Sequence, residues 1–113
     1  MTEDTPWAYA RRFLPENDLV PLDEARRLIL AGRAQLWCGE GCAGVTEIAP
    51  DNRLHILLAG GSMSGLLAMR EDVEAFARAL GCTAVYLGGR PGWRRVFPTF
   101  GYARQGEDME KQL

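Results

Sequence analysis

Between residues 54 and 102 the chain follows a pattern that few folds accommodate. Leu54-His55-Ile56-Leu57-Leu58-Ala59 reads as a strand, Gly60-Gly61-Ser62 breaks it, and an amphipathic helix runs on to Gly81-Cys82. Ala84-Val85-Tyr86-Leu87 then reads as a second strand, followed by Gly88-Gly89-Arg90-Pro91-Gly92-Trp93-Arg94-Arg95. Strand, glycine-rich break, helix, strand is a βαβ unit, which places backbone N–H groups at a helix start where an anion such as a pyrophosphate can bind. The pattern points to a fold and a cofactor cleft without identifying a reaction.

A chain of 113 residues with 47% hydrophobic content supports one domain around one core. We expect a single domain over residues 1–113, with 1–20 as an N-terminal arm or short helix. No apolar stretch approaches the roughly 20 residues of a membrane span, and the opening Met1-Thr2-Glu3-Asp4 lacks the flanks of a secretion signal. A cytoplasmic protein that does not enter a membrane is therefore expected. A formal net charge of -2 leaves no positive field to gather nucleic acid, so generic nucleic-acid binding is disfavoured. Lys111 is the sole lysine, which with abundant Ala and Gly fits a GC-rich coding genome and a bacterial or phage source.

Cys38, Cys42 and Cys82 are odd in number, and a chain this apolar needs no disulfide framework, so a reducing compartment is the simpler assumption. Cys38-Gly39-Glu40-Gly41-Cys42 resembles half a metal site, but only His55 remains as a further ligand and no metal is expected. Gly39-Glu40-Gly41 instead reads as a hairpin turn carrying the two cysteines onto adjacent strands, where a cross-strand thiol pair could oxidise in air.

Elsewhere, Trp7 to Leu14 leans to a short helix and Pro21 to Leu30 reads as a firm one, with early acids and Gly32 as its stop. Residues 34–38, 43–48 and 53–59 form three antiparallel strands in succession. In the long helix Leu66, Met69, Val73, Phe76, Ala77 and Leu80 recur at helical spacing, which puts Arg70, Glu71, Asp72, Glu74 and Arg78 on the solvent face. A short helix over 91–97, a turn at Pro98-Thr99-Phe100-Gly101 and two terminal strands complete an α+β fold: a central mixed sheet flanked by helices.

This order resembles the GCN5-related N-acetyltransferase superfamily, the acyl-CoA N-acyltransferase fold, with its first strand missing or reduced. Leu36-Trp37, Val45-Thr46-Glu47-Ile48, Leu58-Ala59-Gly60-Gly61, Gly89-Arg90, Gly92-Trp93 and Gly101-Tyr102 look like the small acetyltransferase-like proteins of tailed phages and prophages. The resemblance implies acetyl-CoA as cofactor and an amine as acceptor. The strand before the long helix would splay from its neighbour, Leu57 to Ala59 would pair with the pantetheine arm, and amides from Gly60 to Gly65 would hold the pyrophosphate. It assigns Leu58, Ala59, Gly60, Gly61, Ser62 and Gly65 to cofactor binding.

Arg90 and Arg94, beside Trp93, suit a CoA phosphate or an acidic partner, or else an arginine–tryptophan stack on the sheet. Glu47 is the candidate general base, its alternative being a strand carboxylate paired with arginine or facing water, and His55 on the next strand could hydrogen-bond to it. Gly60-Gly61-Ser62-Met63-Ser64-Gly65 departs from the family's loop pattern, and Arg95-Val96-Phe97-Pro98-Thr99 lacks its customary tyrosine acid. A rival reading follows: a non-catalytic structural or interaction module, such as a virion or assembly component, whose partner is a phage or host protein. Self-association is left open.

Overall fold

Three strands in direct succession open the sheet: β1 (Gln35–Gly39), β2 (Cys42–Ile48) and β3 (Arg53–Gly61). The computed structural model describes residues 5–16, 20–88 and 91–113. Before these strands come α1 (Thr5–Ala10) and α2 (Leu22–Leu30); after them come α3 (Met63–Ala79), β4 (Ala84–Gly88), α4 (Pro91–Val96), a 3₁₀ turn (Phe97–Phe100), β5 (Ala103–Gln105) and β6 (Asp108–Gln112). The six strands form one mixed sheet in the order β1-β2-β3-β4-β6-β5. The α+β class and the mixed sheet expected from the sequence are thus present.

Local chemistry explains the boundaries. Asp23 and Glu24 occupy the first turn of α2, where carboxylates favour the exposed N–H groups. Ser62 caps α3 by accepting from the Gly65 N–H at 3.1 Å. Gly81, at φ +78°, ends that helix, and the Cys82 N–H returns to the Ala77 carbonyl at 2.9 Å. The hairpin between β1 and β2 turns on Glu40-Gly41, with Gly39 still in β1, one residue tighter than the sequence suggested.

α1 and α2 cover one face of the sheet, packing Ala10, Leu14 and Ala25 onto Ala43, Val45 and Leu58. α3, α4 and the 3₁₀ turn cover the other, where Leu66, Val73, Ala77, Trp93 and Phe97 meet Leu54, Val85, Leu87 and Met109. A bulge in β3 makes this division work. Val45 pairs with Leu58 and Thr46 with Ile56, so Leu57 is the extra residue. Strict alternation would put Leu54 and Leu58 on one face; the bulge sends Leu54 to the α3 side and Leu58 to the α1/α2 side.

The parallel ladder between β3 and β4 covers only Arg53–Ile56 against Ala84–Leu87, so β3 runs on to Gly61 after parting from β4. Two expectations are corrected. α3 begins at Met63, which leaves Gly60 and Gly61 in β3 and Ser64 and Gly65 in the first helical turn. Glu74 faces inward at 3% exposure, and Arg70 joins it; the solvent-face assignment fails because Tyr102, just before β5, and Lys111 of β6 bond to Glu74 there.

Leu54, fully buried near the start of β3, tests the core assignment. Leu54→Ala is expected to lower the unfolding free energy by about 2–5 kcal/mol, read from urea titration of both proteins.

Candidate functional site

The six residues Gly60 to Gly65 form no loop. Only Ser62 separates the end of β3 from the start of α3, and close packing accounts for the glycines. A Cβ on Gly60 would lie 2.0 Å from the Phe13 carbonyl oxygen, one on Gly61 2.3 Å from that of Gly41, and one on Gly65 2.6 Å from that of Glu40. Gly61 also holds φ +112°, a conformation side chains rarely adopt. The Ser62 N–H donates to the Gly41 carbonyl at 2.9 Å, tying the helix start to the β1–β2 hairpin.

Between that hairpin and the first turns of α3 lies a groove of about 510 Å³. Trp37 of β1 and Ser62, Ser64 and Met69 on the α3 side line it, together with the exposed Glu40 and Asp72. Trp37 is fixed there: its Nε1–H donates to Thr46 Oγ1 at 2.9 Å, and its ring meets Phe76 edge-on at 5.4 Å.

Where β3 parts from β4, the α3 side of the gap is filled from below. Trp93 and Phe97 stack at 5.8 Å, both are buried, and with Ala59, Leu66 and Leu87 they leave a cavity of only about 30 Å³. Ala59 is buried with them, and Leu58 is buried on the opposite face under α1 and α2. Arg94 is half-buried on α4; Arg90 lies outside the described residues.

Glu47 stands elsewhere. It is half-buried in β2 opposite His55, on the same face as Val45, about 13 Å along the strand from the residue facing Gly60. The structure therefore does not bring the candidate base and the glycine segment together. The suggested bond from His55 is also absent: no hydrogen bond or ion pair joins Glu47 to another described residue, and His55 Nε2 is buried without a partner among them. The His55 ring lies against Tyr86 at 5.0 Å, and the Tyr86 hydroxyl donates to Asp108. Arg53 sits over Tyr86 and pairs with Asp51 at 2.7 Å and Glu110 at 2.8 Å.

The strongest electrostatic feature is one the sequence analysis assigned to solvent. Glu74 accepts from the Tyr102 hydroxyl at 2.8 Å, Lys111 Nζ at 2.9 Å and Arg70 Nη1 at 3.2 Å. Burial pushes the Glu74 pKa up, but donation by Lys111, Tyr102 and Arg70 outweighs it and leaves the carboxyl below its usual range. Burial, then the Glu74 carboxylate, raise the Tyr102 pKa far above normal, so this hydroxyl is a fixed donor and no ready source of protons. The i, i+4 spacing of Arg70 and Glu74 beside the core positions Val73 and Ala77 was the available signal.

The cysteines are not a pair. Cys38 faces Ala43 and Cys42 faces Gly39 across the ladder. Cys38 Sγ reaches toward the Pro6 carbonyl on the α1 side, whereas Cys42 Sγ lies beside Gly65 of α3. Alternation thus puts the thiols on opposite faces of the sheet and removes the route to a cross-strand disulfide.

No family model, curated protein or solved structure matches this chain. The residues themselves fit a CoA pyrophosphate poorly. The glycine positions are taken up by carbonyl oxygens of the same chain, and the adjoining groove carries two carboxylates and no basic side chain.

Glu74→Gln isolates the buried network. Because the folded pKa is lowered, the carboxylate's contribution is present above its unfolded value of about 4.3 and is lost as pH falls through the folded value. At pH 7 the variant is expected to be less stable by about 3–5 kcal/mol, since Lys111 loses its counter-charge and Arg70 keeps only the exposed Glu71 at 3.6 Å. The gap to wild type should narrow below about pH 4, read by urea titration across pH.

Proposed function

We propose that this chain is an acetyltransferase-like domain serving as a structural or interaction module, a virion or assembly component of phage or prophage type, and not a catalyst of acyl transfer. The observation that carries this reading is the set of carbonyl oxygens packed on Gly60, Gly61 and Gly65. A pyrophosphate needs converging N–H groups and positive charge, and the segment offers it oxygen atoms and the carboxylates of Glu40 and Asp72. The separation of Glu47 from that segment supports the same reading, as does the filling of the β3–β4 gap by Trp93 and Phe97. The phage attribution rests only on the resemblance of short sequence words to such proteins.

One observation favours acyl transfer. β3 leaves β4 after Ile56 and continues, and this parting of strands is what the resemblance implies for seating a pantetheine arm along Leu57 to Ala59. Under that reading acetyl-CoA is the cofactor and an amine the acceptor.

Calorimetric titration of the reduced protein with acetyl-CoA and with CoA, paired with a thermal-shift series, separates the two. The module reading expects no saturable heat and no rise in melting temperature up to millimolar ligand. Saturable binding with a raised melting temperature would establish the gap as a working cofactor site and end the module reading.

A further inference from the structure

The groove between the β1–β2 hairpin and α3 has the size of a small-ligand site and a definite sign. Its volume of about 510 Å³ falls within the range of pockets that hold a compact ligand or an anchoring side chain. On α3 the groove is lined by Ser64, Gly65 and Ala68, whose small side chains keep it open along one stripe of the helix until Asp72. The opposite wall is Trp37, held by its hydrogen bond to Thr46 and its contact with Phe76. A pre-set aromatic wall spares a ligand the entropy of ordering it.

The charges decide what such a groove selects. Glu40 and Asp72 are exposed on the rim, and neither has an ion pair or side-chain hydrogen bond among the described residues. No Lys or Arg lines the groove. The start of α3 contributes the opposite sign, but a helix terminus amounts to roughly half an elementary charge, its Gly65 N–H is already taken by Ser62, and two full carboxylates outweigh it. An aromatic face beside unpaired carboxylates is the chemistry that holds ammonium and guanidinium groups.

We infer that this groove is a docking site for an arginine or lysine side chain of a protein partner, the cationic group lying against Trp37 between Glu40 and Asp72. The inference rests on the module reading, to which it adds the partner's chemistry. Arginine fits best, because its planar guanidinium stacks on an indole while bonding a carboxylate.

The test uses the full chain and an N-acetylated, C-amidated tri-arginine peptide, followed by calorimetry at low salt, with the tri-glutamine analogue as control. Saturable tri-arginine binding is expected, reduced at least about tenfold in Glu40→Gln/Asp72→Asn and weakened by added salt. The two substitutions are isosteric and exposed, so an unchanged melting temperature confirms that the variant is folded. Trp37→Phe, which keeps an aromatic wall of weaker cation affinity, is expected to fall between the two. Absent tri-arginine binding at millimolar peptide, equal binding of tri-glutamine, or undiminished binding by the double variant would each overturn the assignment. Acetyl-CoA is titrated in parallel: its binding with tri-arginine binding intact overturns the module reading and leaves the groove assignment standing.

Discussion

A single buried carboxylate holds the two halves of this fold together. Glu74 projects from the middle of α3 into the core and meets Arg70 of its own helix, Tyr102 from the segment after the 3₁₀ turn, and Lys111 of β6. A carboxylate taken out of water alone would shed its charge, and one satisfied on every side instead becomes a directional anchor. Hydrogen bonds are directional where apolar contact is not, so the three donors to Glu74 restrict the rotation of α3 more tightly than its apolar face does. Arg70 adds a second constraint by lying 4.3 Å over the Phe100 ring, which fixes the 3₁₀ turn that delivers Tyr102.

The bulge at Leu57 plays a comparable part within the sheet. β3 is central and must serve helices on both faces, yet its sequence offers leucines at 54, 57 and 58 with no clean alternation. One extra residue converts that run into a strand whose Leu54 and Ile56 feed the α3 core and whose Leu57 and Leu58 feed the α1 and α2 side. The change of face occurs where β3 leaves β4, so bulge and parting fall at one place in the strand.

Much of the architecture was legible because period and punctuation agree in the sequence. Gly32, Gly81 and the Pro50-Asp51-Asn52 turn mark real boundaries, and the helical spacing of Leu66, Val73 and Ala77 identifies the buried stripe of α3. Glu74 was misplaced because its partners lie 28 and 37 residues away, and no local pattern reports a bond of that range. The glycine run was misread for a related reason. Glycine signals close approach without saying to what, and here it is the chain's own carbonyls, not a phosphate, that come close. Glu47 was chosen as base for its residue type and strand position; the antiparallel register pairs it with His55 near the start of β3, away from the glycine segment at the other end. The groove beside Trp37 had no sequence signature, since its wall, floor and rim come from two elements brought together only by the fold.

The position of β6 constrains how the chain reaches this state. β6 lies inside the sheet, antiparallel to both β4 and β5, and carries the Lys111 partner of Glu74. During synthesis the βαβ unit emerges first, with one side of β4 unpaired and the Glu74 carboxylate lacking its ammonium. That intermediate exposes an unprotected strand edge to other nascent chains until residues 108–112 arrive to close it. Burden on chaperones should therefore concentrate in this short interval, and the five residues of β6 act as the latch that ends it.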